Sequence, residues 1–257
     1  MIPFLYIVIF AIGTLLGSFC TLAVYRIPLK KDITHENSFC PTCGHKLAFL
    51  DLIPVFSYLF LRGKCRYCNE KIRIRYFLLE IFSGLLVLLF AISINFSFYK
   101  IELDKIIYFV FGIFYIVTLT LIAGIDKERI QIQKSVIIFG FICEVIYILY
   151  LSIVVNANID RYAIYLFFML ILLLTDTYLL KKKQKSSYTI QILILMLLIM
   201  MFTTIETVMF TAIITLIIIA IATTRRRKTQ NKQLPIGFYL CVSNLAMLII
   251  QNFAYFY

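Results

Sequence analysis

The chain has 257 residues, of which 62% are hydrophobic and only 15% are charged. This composition excludes an ordinary soluble enzyme, because apolar runs repeatedly approach or exceed the ~20 residues that cross a bilayer. A net charge of +12 is also found in nucleic-acid-binding proteins, but here the basic residues are distributed as membrane topology predicts. We therefore expect the lipid bilayer, and no nucleic acid, as a partner.

Eight apolar segments predict an all-α polytopic membrane protein with about eight transmembrane helices. The predicted spans are 2–25, 76–97, 106–125, 135–155, 162–180, 187–203, 206–223 and 236–257. The sixth and seventh come from one apolar stretch, 187–224, which two threonines and Glu206 interrupt. This stretch is too long for a single span, so we interpret it as a tight hairpin of two helices.

Basic residues indicate the orientation of these spans. With the N-terminus outside, the inward loops are 26–75, 126–134, 181–186 and 224–235, and they hold 22 of the 25 Lys and Arg residues. Cytoplasmic loops carry such an excess of Lys and Arg. The sequence thus predicts a multi-pass cell-membrane protein with both termini outside and residues 26–75 in the cytoplasm.

Residues 26–75, called the cysteine loop below, contain two Cys-x-x-Cys pairs. Cys40 and Cys43 form the first pair, and Cys65 and Cys68 the second, with twenty-one residues between the pairs. This spacing is typical of a structural tetrahedral zinc site, and a reducing cytoplasm disfavours disulfides. A redox pair or free thiols are the alternatives, and His45 is an alternative ligand. No open coordination position is evident, so we expect zinc to be structural.

The cysteine loop divides the chain into three predicted parts. They are a first transmembrane helix (1–25), the cytoplasmic zinc-binding loop (26–75) and a helical membrane domain (76–257). The outward loops of the membrane domain are too short to fold alone, and the sequence reveals no internal repeat.

Five acids lie in or near the predicted spans: Glu80, Asp126, Glu144, Asp176 and Glu206. An acid in a bilayer is costly, so each is a functional candidate. Asp126 ends the third span and Asp176 lies about one helical turn before the end of the fifth, so both fall at the cytoplasmic edge. Two such carboxylates suit an aspartic protease, in which one is an ionised base and the other a protonated acid. The alternative is a pair of solvated helix ends.

The other acids and the two histidines provide weaker evidence of function. Glu80 is more simply explained as an ion-paired or snorkelling residue near the start of its span, and Glu144 has no evident partner at mid-span. The two histidines, His35 and His45, both lie in the cysteine loop. Histidine-based catalysis within the membrane is therefore excluded.

Two stretches of the first eighty residues resemble a known family. The first is GSFCTLAVYRIP over 17–28. The second contains Cys40-Pro-x-Cys43-x-His45, Asp51-Leu-Ile-Pro54-x-x-Ser57-Tyr58, Arg62-Gly-x-Cys65-Arg-x-Cys68 and Arg75-Tyr-x-x-x-Glu80. In order and spacing, this run resembles the type IV prepilin peptidases, also called prepilin leader peptidases, which are intramembrane-type aspartic proteases.

The resemblance continues more weakly through the rest of the chain. Asp126 looks like the aspartate of the family's first catalytic motif, and Asp176 falls where the second motif, Gly-x-Gly-Asp, belongs. Leu173 and Thr175 stand in place of the glycines. Residues 234–238 resemble a late Pro-Phe-Gly-Pro element. The resemblance thus implies Asp126 and Asp176 as the catalytic pair.

The resemblance also implies a substrate class and a location. Substrates would be type IV prepilins or pseudopilins of a bacterium, cut after a glycine on the cytoplasmic side of the membrane. Many family members also methylate the new N-terminus, which implies S-adenosylmethionine as a second cofactor to test. A degenerate homologue that binds prepilins or assembly proteins without cutting them is the first alternative. An unrelated membrane scaffold or transporter with a zinc ribbon is the second.

Overall fold

The computed structural model describes residues 2–33, 38–96, 102–156, 160–181, 188–226 and 234–256. Regular structure in these ranges is helical, apart from two isolated β-bridges in the cysteine loop. The α-helices are α1 Ile2–Arg26, α2 Phe56–Phe60, α3 Ile74–Ser93, α4 Leu103–Arg129, α5 Lys134–Ile153, α6 Asp160–Lys181, α7 Tyr188–Phe202, α8 Ile205–Arg226 and α9 Ile236–Phe256. Two short 3₁₀ helices, Ile27–Leu29 and Phe49–Leu52, lie in the cysteine loop. The predicted all-α fold is confirmed.

The predicted spans all appear as helices. Seven of the described helices are long and apolar enough to cross a membrane, namely all except α2 and α7. Helix α7 has 15 residues, or about 22 Å at 1.5 Å per residue, which is shorter than the ~30 Å hydrocarbon core. Only Thr203 and Thr204 separate α7 from α8, as the predicted hairpin requires. Most of the basic loops 181–186 and 224–235 lies outside the described residues.

The chain divides into two units, Met1–Ile101 and Glu102–Tyr257; the finer three-part division stays a prediction. In the first unit, α1 packs against α3 through small residues. A Cβ added to Gly13 would lie 2.9 Å from the Gly84 Cα, and one added to Gly17 would lie 2.6 Å from the Ser83 Cβ. Small residues four apart let two membrane helices approach closely. This helix pair brings the two ends of the cysteine loop to one side.

In the second unit, a buried polar network joins α9 to α4 and α8. Asn244 on α9 is fully buried, accepts a hydrogen bond from the Tyr115 hydroxyl at 2.6 Å and donates one to the Thr211 hydroxyl at 3.3 Å. A buried amide is tolerated only when it is hydrogen-bonded. These contacts fasten α9 beside α4 and so place the first turn of α9 near the last turns of α4.

Candidate functional site

The four cysteines of the two Cys-x-x-Cys pairs converge in the cysteine loop. The sulfur atoms of Cys40, Cys43, Cys65 and Cys68 all lie within 4.8 Å of one another, and those of Cys40 and Cys68 are 3.8 Å apart. Tetrahedral zinc with Zn–S bonds of about 2.3 Å places its sulfur ligands ~3.8 Å apart. The four predicted ligands therefore come together at a spacing that can hold a metal such as zinc.

Each cysteine pair sits in the same backbone turn. In both, the amide of the first cysteine donates to the carbonyl five residues later, at 3.0 and 2.8 Å, and its own carbonyl accepts from the amide four residues later, at 2.8 and 2.9 Å. The residue after the second cysteine has a positive φ, 69° at Gly44 and 56° at Asn69. Segments 38–47 and 63–72 are thus a structural repeat. The two segments share only their cysteines and one lysine, so this repeat is one of backbone structure and is not evident in the sequence.

The backbone and the neighbouring thiols separate two of the thiol pKa values widely. Hydrogen bonds from the N–H groups of Cys43 and Thr42 lower the pKa of Cys40 to about 6. The N–H of Glu70 lowers the pKa of Cys68, but burial and the three neighbouring thiols outweigh it and raise that pKa to about 12. Four thiols this close cannot all ionise unless a cation offsets their charge. A divalent metal ion would supply that charge.

Asp51 joins the second cysteine turn to the segment between the turns. Its carboxylate accepts hydrogen bonds from Arg66 Nε at 2.7 Å and the Tyr67 hydroxyl at 3.1 Å, and its side chain is only 3% exposed. Burial alone would raise the pKa of the Asp51 carboxyl, but these bonds and one from the Ala48 N–H hold it below its usual value. The Tyr67 ring in turn packs against His45, with centroids 3.6 Å apart and the ring planes tilted by 33°. His45 therefore links the two cysteine turns.

Asp126 lies fully buried in the last turns of α4. The Tyr188 hydroxyl, at the start of α7, lies 2.9 Å from both carboxylate oxygens. The N–H of Phe238, in the first turn of α9, donates to one of these oxygens at 2.9 Å, and the N–H of Gly237 donates to the Tyr188 oxygen at 3.2 Å. The N-terminus of a helix presents unpaired N–H groups and a positive dipole. These donors offset part of the cost of burying the Asp126 carboxylate.

Gly237 permits the close approach of α9 to Asp126. A Cβ at this position would lie 3.0 Å from Asp126 Oδ2 and 3.3 Å from Ile132 Cδ1, which is tighter than ordinary packing allows. The sequence resemblance drew attention to residues 234–238 but indicated nothing about their contact with Asp126. Neither Tyr188 nor the Phe238 N–H was predicted as part of the site.

Asp176 pairs with a lysine that the sequence did not single out. Its carboxylate Oδ2 lies 2.6 Å from Nζ of Lys134, the first residue of α5, and the side chains are 1% and 26% exposed, respectively. In the sequence, Lys134 was counted only among the basic residues of an inward loop. Nothing in its position predicted a contact with Asp176. A buried carboxylate needs such a partner, because its desolvation costs several kcal/mol.

The two predicted catalytic aspartates therefore lie near opposite ends of the segment that connects α4 to α5. Asp126 precedes the connection from α4 to α5, and its carbonyl accepts the Ile130 N–H at 2.8 Å. Lys134, the partner of Asp176, follows it. Both carboxylates are buried on separate helices, each with its own polar partners. Their assignment as a catalytic pair stays a prediction.

Lys134→Met is expected to destabilise the protein by about 3–5 kcal/mol, because it removes a counter-ion that contacts the buried Asp176 carboxylate. The double variant Lys134→Met/Asp176→Asn should recover most of this loss, since it removes both charges. Denaturation of the purified protein in detergent would give the free energies of the four members of this cycle. Additive effects of the two substitutions would contradict the ion pair.

The half-buried Glu80 and the buried Glu144 have separate surroundings. Glu80 on α3 accepts a hydrogen bond from the Val55 N–H at 2.8 Å and one from Ser18 on α1. Its carboxylate is therefore hydrogen-bonded within the protein and does not simply extend toward water. Glu144 on α5 is 4% exposed, and neither of its carboxylate oxygens has a hydrogen-bond partner among the described residues. Its surroundings include the rings of Tyr115 and Tyr147.

A known protein family matches the part of the chain that contains the cysteine cluster. Residues 11–94 match the model of the Bacterial Peptidase A24 N-terminal domain. The resemblance to the prepilin peptidase family is confirmed. The matched segment contains all four cysteines and Glu80, and it ends before α4. Asp126 and Asp176 therefore lie outside it.

Curated relatives bear the name prepilin leader peptidase/N-methyltransferase. The protein from Vibrio cholerae is 42% identical over 87 residues, 30% of this chain and 34% of the relative. The one from Myxococcus xanthus is 42% identical over 84 residues, 33% and 25% of the two chains. The one from Bacillus subtilis is 33% identical over 132 residues, 51% and 50%. The alignments thus span a quarter to a half of these relatives. No solved structure matches the chain.

Proposed function

We propose that this protein is an aspartic endopeptidase that removes the leader peptides of type IV prepilins or pseudopilins. The proposal rests on two buried aspartates at corresponding helix ends in a chain whose first part matches the A24 N-terminal domain. Buried acids in membrane proteins are costly and mark functional sites. The names of the relatives supply the substrate class.

The contacts of the two aspartates suggest different roles. Asp126, with donors from Tyr188 and the α9 N-terminus, suits an ionised general base that takes a proton from the attacking water. Asp176 would then be the acid that donates to the scissile carbonyl. To do so, it must separate from Lys134 and take up a proton. Entry of the substrate between α5 and α6 is the step at which this exchange would occur.

Zinc in this proposal is structural. Cys40, Cys43, Cys65 and Cys68 would hold it, and zinc bound by four thiolates stabilises the fold of its loop. We place the cysteine loop in the cytoplasm and both termini outside, in a bacterial cell membrane, because of the distribution of Lys and Arg. The relatives' names also include N-methyltransferase, so methylation of the new N-terminus with S-adenosylmethionine is a second activity to test.

A homologue that binds prepilins without cutting them is the alternative. Two observations favour it: the ion pair that occupies Asp176, and Leu173 and Thr175 in place of the glycines before it. Glycine at those positions would permit closer approach to the backbone. On this alternative the site would hold the substrate while its leader stays intact.

Leader cleavage by the purified protein separates the two functions. The protein in liposomes would be mixed with a full-length prepilin from the same genome, and the N-terminus of the product determined by mass spectrometry. A product shortened to the residue after the leader glycine supports the peptidase. Binding of an uncut prepilin supports the non-cutting homologue, and neither binding nor cleavage contradicts both.

Tyr188→Phe is expected to slow cleavage by about 10- to 100-fold, because Asp126 loses a hydroxyl donor worth roughly 1.5–3 kcal/mol to a charged acceptor. The rate of leader removal at saturating prepilin is the measurement. Tyr239→Phe, which removes a hydroxyl elsewhere in the first turns of α9, is the matched control and should keep the wild-type rate. Equal rates for Tyr188→Phe and Tyr239→Phe would remove Tyr188 from the site.

A further inference from the structure

A group of apolar side chains in the cysteine loop is exposed. It lies between the two cysteine turns, in the 3₁₀ helix Phe49–Leu52 and in α2. We call it the apolar patch; its members are Phe49, Leu50, Leu52, Phe56, Leu59 and Phe60. Phe49 and Phe60 are 81% and 83% exposed, and the other members 42–62%. Clustered exposed apolar side chains mark an interaction surface.

The depth of this segment follows from its contact with α3. Helix α3 has 20 residues and is therefore about 30 Å long, which only just spans a ~30 Å hydrocarbon core. Val55, next to the patch, donates its N–H to Glu80 at 2.8 Å. Glu80 lies six residues after the start of α3 at Ile74, or about 9 Å along the helix axis. Val55 therefore lies beside the body of α3 and not beyond its end.

Helix α1 indicates the same depth. Glu80 also bonds to Ser18, and Ser18 lies eight residues before the end of α1 at Arg26, or about 12 Å along the axis. The segment that carries the patch is thus fastened to the α1–α3 pair about 9–12 Å inside the ends of the two helices, within the outer part of a leaflet that contains both of them.

The turn at Val55 is a fixed feature of this segment. Val55 has φ 65° and ψ −53°, and the Phe56 N–H donates to the Pro54 carbonyl at 2.7 Å. This is a γ-turn with positive φ, which is strained for a β-branched residue. The Glu80 carboxylate holds the turn by its bond to the Val55 N–H. This hydrogen bond fastens the patch to α3.

Charge and backbone bonding fit a bilayer interface. The cysteine loop carries 10 Lys and Arg against 4 Asp and Glu, and such a basic excess attracts anionic lipid headgroups. The amides of Ser57, Leu59 and Leu61 donate to carbonyls of the same segment, so these backbone groups do not need water. A groove of about 330 Å³ also opens between Leu50, Ile53 and Phe60, among other residues, which leaves room for part of an acyl chain.

We propose that residues 49–61 form an interfacial segment whose apolar patch inserts into the leaflet at which α1 ends and α3 begins. The membrane is the occupant because it already surrounds both helices to which the segment is fastened. Amphipathic segments of this kind bury their apolar face ~5–10 Å into the boundary between headgroups and acyl chains. The cysteine turns on either side of the segment would then rest on the membrane surface. This inference does not depend on the peptidase activity.

A single tryptophan tests the insertion, since the chain contains none. Phe60→Trp protein would be reconstituted in liposomes that contain acyl-brominated lipids. We expect blue-shifted emission, at least twofold quenching by the brominated lipid and little quenching by aqueous iodide. Phe4→Trp, at a residue of α1 that is 71% exposed, is the positive control for lipid contact. Phe49→Trp provides a second probe of the patch if Phe60→Trp does not fold.

The reverse pattern would overturn the proposal. Quenching of both patch probes by iodide but not by brominated lipid would place the patch in water. Protection from both quenchers would mean that protein covers it, either another part of this chain or a bound partner. Protection from iodide that arises only when prepilin is added would make the patch a substrate surface instead.

Discussion

Asp176→Asn is expected to lower the rate of leader cleavage by about 100- to 10,000-fold, the usual contribution of a general acid or base. Asparagine keeps the size of the side chain but cannot exchange a proton. The protein should remain folded, because the Lys134 side chain is partly exposed and its long stem can carry the buried ammonium to water once the carboxylate is gone. Asp126→Asn should show a loss of similar size. The measurement is the initial rate of conversion of a prepilin to its mature form in liposomes.

Asp160→Asn is the matched control for this experiment. Asp160 begins the same helix, α6, at its opposite end, and it is exposed. Its substitution should leave cleavage unchanged. Full activity of Asp176→Asn would mean that another acid serves in its place, with Glu144 and Glu80 the next to test. Full activity of both Asp126→Asn and Asp176→Asn would exclude the aspartic mechanism.

Cys65→Ser is expected to remove the bound metal and to unfold the cysteine loop. A structural zinc site contributes apparent binding free energies of about 10–16 kcal/mol, and Cys65 is one of the two most buried members of the cluster. We expect metal content to fall from about one zinc per chain to well below half of that, with faster proteolysis between α1 and α3. Elemental analysis and limited trypsin digestion of the membrane-embedded protein would measure both effects.

Cys143→Ser provides the control for the loss of a thiol. Cys143 lies in α5 and is not a member of the four-sulfur cluster. The Cys143→Ser protein should keep the full metal content and the resistance to trypsin of the wild type. Unchanged metal content in Cys65→Ser would contradict the zinc site, and metal loss without faster proteolysis would separate zinc binding from the folding of the loop.

The sequence alone determined the helices and the cluster of four cysteines. Helices α1, α3–α6, α8 and α9 follow from apolar length, which is a local property, and they coincide with predicted spans. The Cys-x-x-Cys spacing predicted the cluster because each pair is closed by its own short turn. The break between α7 and α8 was also predicted, since two threonines and an acid interrupt an apolar run.

The tertiary structure decided which groups surround each aspartate. Tyr188 lies 62 residues from Asp126 in the chain, and Phe238 lies 112 residues from it. No local pattern reports such contacts, because they depend on how α4, α7 and α9 pack. The Lys134–Asp176 pair also depends on how the helices pack. In the sequence, Lys134 was only one of the basic residues of an inward loop.

The surroundings of the cysteine loop were likewise set by folding. Glu80 was expected to form an ion pair or to snorkel toward water, and its bond to the strained Val55 turn appears only when α3 and the loop are brought together. The repeat of the cysteine turns was hidden for a related reason: backbone hydrogen bonds define it, and ten-residue segments with three shared residues can form the same bonds. Composition and spacing thus determine which segments enter the membrane and which side chains can bind metal. Non-local packing decides how each buried charge is neutralised, because a charge removed from water requires a specific partner.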